Sequence, residues 1–148
     1  MISLLSSTRG VYMTLQTTCH GMDWQLSSLA QWCSQRHPLV SRVEYLDMNM
    51  NMNPRPNWQD DMDATQWLEF FETFTAVNTL RLDRMILLSV SRALEGLNAD
   101  SAAEVLPALR NLWYDKLWPP SSVREAIKAF LSVRQHSDCT VATHHWDR

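Results

Sequence analysis

The residues of this 148-residue chain best suited to chemistry gather near its end: His136, Cys139, His144, His145 and Asp147. Imidazoles, a thiol and a carboxylate are the donors of a zinc site, but such a site takes its ligands as two short-spaced pairs. Cys139 with His144 has no matching second pair, and the adjacent His144 and His145 point to opposite faces if the segment is a strand. A surface tail accounts for them. Cys33 and His37 lie four apart, close enough on a helix to form a thiol–imidazole pair. Cys33 also continues an apolar stripe with Leu26, Leu29 and Ala30, and Pro38 follows His37, so a buried thiol is the expectation. Asp60, Asp61 and Asp63 offer paired carboxylates, yet a calcium loop needs a Gly and a closing Glu that are missing. Acids ahead of a helix answer its N-terminal dipole instead. The three glycines, Gly10, Gly21 and Gly96, stand apart and build no phosphate cradle. No Gly-x-Ser-x-Gly elbow occurs. The sequence therefore predicts no catalytic, cofactor-binding or metal residues, no cofactor, and no enzyme.

Composition agrees with a folded chain. Hydrophobic residues make up 45% and charged residues 20%, the balance of a globular domain. A net charge of −3 without a Lys/Arg block gives no expectation of nucleic acid or membrane as partner. No apolar run is long enough to span a bilayer. Cys19, Cys33 and Cys139 are odd in number and widely spaced, as reduced thiols of an intracellular protein, cytoplasmic or nuclear, would be.

The elements that would position any site recur at a steady interval. Apolar alternation of period two, the mark of a half-buried strand, appears at Val11–Leu15, Val43–Met48, Val77–Leu82 and Leu109–Tyr114, with a weak fifth run at Thr140–Thr143. Met13, Leu46, Leu80 and Leu112 align at spacings of 33, 34 and 32 residues. Helical stripes fill the gaps. Asp63 with Gln66 forms a capping box ahead of Trp67, Phe70, Phe71 and Phe74. Ile86, Val90, Ala93, Leu94 and Leu97 form a stripe that stops near Gly96 and Asn98. Ser101 with Glu104 caps a short helix carrying Val105 and Leu106. Ser122 with Glu125 caps another, with Val123, Ile127, Phe130, Leu131 and Arg134 on one side. Strands separated by helices pair in parallel, and a constant period favours a solenoid. The fold class is therefore α/β, a leucine-rich-repeat-like solenoid fragment, with an open α/β sheet as the competitor because typical leucine-rich repeats span only about 20–29 residues. Residues 1–10 are expected to be a poorly ordered N-terminal segment. Residues 11–148 form one domain, with a long loop near 49–62.

Several phrases resemble a family. Trp24-Gln25-Leu26-Ser27-Ser28-Leu29-Ala30-Gln31, Trp58-Gln59-Asp60 with Thr65-Gln66-Trp67-Leu68-Glu69-Phe70-Phe71, Ala93-Leu94-Glu95-Gly96-Leu97 leading to Glu104-Val105-Leu106-Pro107-Ala108-Leu109, and the end from Val133-Arg134-Gln135 to Trp146-Asp147-Arg148 resemble F-box-type proteins of mushroom-forming fungi. The resemblance covers residues 11 to 148 and implies the leucine-rich-repeat portion of such proteins. Longer members carry an F-box that docks on a ubiquitin-ligase adaptor. Nothing ahead of Val11 has room for it, so adaptor docking is not carried over. The alternation Met48-Asn49-Met50-Asn51-Met52-Asn53 departs from the family pattern.

If Met13, Leu46, Leu80 and Leu112 face the helices, their neighbours line an open sheet face. These are Tyr12, Thr14, Tyr45, Asp47, Thr79, Arg81, Asn111 and Trp113, a mixture of the residue types that carry contact energy. The expected function is a non-enzymatic protein–protein interaction module, with Tyr12, Tyr45, Asp47, Thr79, Arg81, Asn111 and Trp113 as the partner-binding set. In the resembled family this would be the substrate-recognition part of a ubiquitin-ligase receptor. Two alternatives stand beside it: a truncated or degenerate member without independent activity, and an enzyme with a cryptic site.

Overall fold

The computed structural model describes residues 2–8, 11–17, 25–49, 63–115 and 120–146. Strands β1 (Ile2–Thr8) and β2 (Val11–Thr17) come first, followed by helices α1 (Gln25–Gln35) and α2 (His37–Val40). Then β3 (Tyr45–Met48), α3 (Ala64–Glu72), β4 (Thr79–Leu82), α4 (Arg84–Glu95), α5 (Ala99–Glu104), β5 (Asn111–Asp115), α6 (Ser121–His136) and β6 (Ala142–Trp146) alternate to the end. The fold is α/β: a parallel sheet ordered β3-β4-β5-β6, each strand beside its predecessor in the chain.

Register follows the sequence interval. Leu46 pairs with Leu80 and Leu80 with Leu112, and the row continues to Thr143. The run at 11–15 behaves differently. It belongs to β2, which pairs antiparallel with β1 in a two-stranded sheet of its own, so it is not a fifth parallel strand. The cause lies next to it: the opening residues, expected to lack order, supply β1, and a two-residue connection suits an antiparallel hairpin, whereas parallel pairing requires a crossover of a dozen residues.

Burial alternates strictly along β3, β4 and β5. One face of the sheet is packed, and the helices that pack it also touch one another, α3 on α4, and α6 on both α4 and α5. The packed positions extend beyond each strand into the turn before it. Val40, Val43, Leu46 and Met48 are buried; so are Phe74, Val77, Leu80 and Leu82, and Leu106, Leu109, Leu112 and Tyr114. Each set has the same spacing: two residues, two residues, one. In the fourth unit the matching positions are Ser137, Thr140, Thr143 and His145, all polar. Thr143 and His145 are exposed.

Local chemistry sets the helix ends. The Asp63–Gln66 box closes as expected, with the Gln66 amide donating to Asp63 Oδ1 at 2.9 Å and the Asp63 amide to Gln66 Oε1 at 3.0 Å. Two other caps differ from expectation. Asn98 caps α5 by accepting from the Ser101 amide at 2.9 Å, which moves the start earlier and leaves Val105 and Leu106 beyond its end. Pro120 precedes α6 with no side-chain cap, and Ser122 lies inside the helix. Proline fits a helix start because the amide it lacks would have no intrahelical partner there. At the other end of α6, Asp138 adopts φ 56°. The Cys139 amide donates to Arg134 O at 3.1 Å and the Asp138 amide to Gln135 O at 3.2 Å, the pair of bonds that defines a Schellman ending.

Arg134 shares the apolar side of α6 and is fully buried. Its guanidinium donates at 2.8 Å to the carbonyls of Ala102 and Val105 and at 3.4 Å to that of Pro107. The Val105 and Pro107 carbonyls flank Leu106, whose φ of 51° is costly for a branched residue. Arg134 thus holds the turn that delivers β5. Below the sheet, Trp67 stacks on Phe71 at 5.7 Å and meets Phe70 edge-on at 6.0 Å, and Phe70 meets Phe74 at 5.0 Å.

Candidate interaction surface on the open face of the sheet

On the face away from the helices, the register fixes two rows. Tyr45, Thr79, Asn111 and Ala142 form the first; Asp47, Arg81, Trp113 and His144 form the second. Trp146 stands beyond the second row, opposite Asp115. Six of the seven residues expected to bind a partner are therefore brought onto one face. The seventh, Tyr12, sits in the hairpin opposite Ser7, outside the parallel sheet, and its side chain lies outside what is described. Thr14 is placed likewise in β2.

These side chains contact one another. Trp113 and His144 stack with centroids 4.4 Å apart and planes at 17°. His144 Nε2 lies 3.0 Å from Asn111 Oδ1, and an oxygen acceptor requires that nitrogen to carry the proton. Arg81 forms an ion pair with Asp47 at 3.6 Å, with side chains 37% and 13% exposed. Its guanidinium carbon lies 4.2 Å from the centre of the Trp146 ring, within the range of a cation–π contact. Arg81 so links β3 to β6 across β5.

His144 and Trp146 are the members that sequence reasoning missed. The interval carried the signal: 31 residues beyond Trp113 is His144. The polar fourth unit concealed it, because its strand begins at Ala142 rather than at Thr140. Adjacent histidines do take opposite faces, and His145 meets Tyr114 edge-on at 4.6 Å on the other side.

The remaining candidates fall elsewhere. Among the described residues no group of three or more His, Cys, Asp or Glu is placed to hold a metal ion; Asp60, Asp61 and Asp147 lie outside them. Cys33 is fully buried, and burial pushes its thiol up to about 12, opposite to what a nucleophile requires. A small apolar void lies between sheet and helices, lined by Phe71, Leu80, Leu112 and Phe130 among others, with no polar group facing it. No helix among the described residues is long and apolar enough to cross a membrane.

Comparison with known proteins gives no match to any family model, curated protein or solved structure.

Proposed function

We propose that the chain is a non-enzymatic protein–protein interaction module that holds its partner on the open face of the parallel sheet. One observation carries this: the face that no described helix covers concentrates Trp113, Trp146, Tyr45 and Arg81, residue types that dominate binding energy at interfaces, and three of them are fixed by contacts on that face, Arg81 with Trp146 and Asp47, and Trp113 with His144. Side chains already ordered lose less entropy on binding, which favours affinity.

The finer architecture we propose is a short solenoid. Supporting it are repeated contacts at the repeat interval. The Glu44 carbonyl accepts from the Asn78 and Thr79 amides, and the Asn78 carbonyl accepts in the same way from Arg110 and Asn111. The Thr75 hydroxyl donates to Ser41 O, 34 positions back. A solenoid with one bare sheet face fits the resemblance to the repeat portion of F-box-type proteins, and by that analogy the partner would be a substrate of a ubiquitin ligase.

The test is affinity capture by the tagged chain from its own cells, followed by binding measurements on the purified partner. Trp113→Ala is expected to weaken a specific partner by about 2 kcal/mol or more. Recovery of chaperones and self-aggregates alone would favour instead a degenerate family member without independent activity.

A further inference from the structure

Among the described residues, Arg81 is held by contacts that leave its hydrogen-bond donors without a protein acceptor. Its two contacts are the Asp47 ion pair at 3.6 Å and the Trp146 ring. The first is longer than a hydrogen bond, and the second, with the guanidinium carbon 4.2 Å from the ring centre, offers no oxygen or nitrogen acceptor to its N–H donors. Among the described residues none accepts a hydrogen bond from this side chain, although it is over a third exposed. The contrast with Arg134 is plain, since the Nη1 and Nη2 groups of that guanidinium donate to three carbonyls.

We infer that the open face recognises a side-chain carboxylate, an Asp or Glu of the partner, which takes the free donors of Arg81 in the plane of its guanidinium. This deepens the module proposed above and rests on it. A carboxylate matches the guanidinium fork with two parallel hydrogen bonds, and such charge-assisted bonds are about twice as strong as neutral ones. Asp47 cancels the cation's distant field, so no long-range attraction to acidic proteins follows. Selectivity is short-range and directional: it comes from the fork, presented rigidly because Trp146 and Asp47 fix its orientation. Trp113, in the next strand of the same row, supplies apolar surface beside it. The source is a side chain rather than a chain end. Terminal carboxylates are captured by nests of backbone amides, and in β4, which carries Arg81, and in β5 the strand pairs on both sides with its neighbours.

The experiment is an NMR titration of the full chain, observing the Arg81 Nε–H and the indole N–H of Trp146 and Trp113. Three short peptides are compared: one with a single Glu and both ends blocked, its Gln counterpart, and the Gln peptide with a free C-terminal carboxylate. The Glu peptide is expected to shift these signals saturably, with affinity about tenfold above the blocked Gln peptide. Arg81→Lys keeps the charge but loses the fork, and should reduce that discrimination to about twofold or less. Equal responses to Glu and blocked Gln, no response to either, or full discrimination in Arg81→Lys overturns the inference. A chain-end peptide as effective as the Glu peptide overturns the choice of source. The first comparison uses only the unmodified protein, so it does not depend on the variant's folding. Loss of a protein partner in Trp113→Ala alongside equal Glu and Gln responses would leave the module standing and remove only the carboxylate.

Discussion

The two faces of the parallel sheet are built from alternate residues of the same strands and have opposite chemistry. Leu46, Leu80 and Leu112 lie in register on the covered face at 2% exposure or less. One position along, Asp47, Arg81 and Trp113 lie in register on the other, ending at His144. The covered face is apolar because helices exclude water from it, and its contacts are interchangeable hydrophobic ones. Among the described residues no helix lies above the open face, and its order comes instead from directional contacts: an ion pair, a cation–π contact, a ring stack and a hydrogen bond. Stability belongs to the first face, and the recognition we propose to the second.

Substitutions can break that division. The largest effect is expected at Arg134, the polar exception inside the core. Arg134→Met keeps apolar volume but leaves the carbonyls around Leu106 unpaired, and should cost about 3–5 kcal/mol in denaturant unfolding. Leu80→Ala enlarges the void beneath the sheet and should cost about 3 kcal/mol. One residue along, Arg81→Ala removes only partly exposed contacts and should cost less than about 1 kcal/mol. Equal losses at Leu80 and Arg81 would erase the distinction between the faces.

A smaller effect sharpens it through pH. Cys33, packed at the covered side, keeps its proton to about pH 12 when folded, against roughly 8.5 for a free thiol. The unfolded chain therefore loses this proton first as pH rises. The stabilisation is fully present below about pH 8.5 and is lost as pH climbs towards the folded value. Unfolding midpoints between about pH 9 and 11 should fall less steeply in Cys33→Ala than in the parent chain. At neutral pH, Cys139, which is partly exposed, should react with iodoacetamide well before Cys33 does.

Much of the sheet was legible in the sequence, because a strand with one buried face writes its register as alternation. Leu46, Leu80 and Leu112 pair as their spacing requires, and the open-face positions follow by parity. The run at Val11 was misassigned because alternation is the same for parallel and antiparallel strands, and only the partner decides. β6 was weak in the sequence for the reverse reason: Thr143 and His145, at the positions matching the buried residues of the other strands, are polar and exposed, and they erase the apolar signal. His144 and Trp146 were hidden with it. Cap positions were legible at Asp63, where side chain and spacing agree, but less so at Asn98, where two candidate caps lie three residues apart. The buried role of Arg134 needs the α5–β5 turn in space, and no local pattern encodes that.

The central claim is that the open face, and not some other surface, holds a protein partner. It is tested most directly by the affinity of a purified partner for Trp113→Ala beside a control on the outer side of α6, Lys128→Ala, whose side chain is 70% exposed and pairs only locally with Glu125. The expected result is a loss of about thirtyfold for Trp113→Ala and no change for Lys128→Ala. An unchanged affinity for Trp113→Ala, or an equal loss from Lys128→Ala, would contradict it.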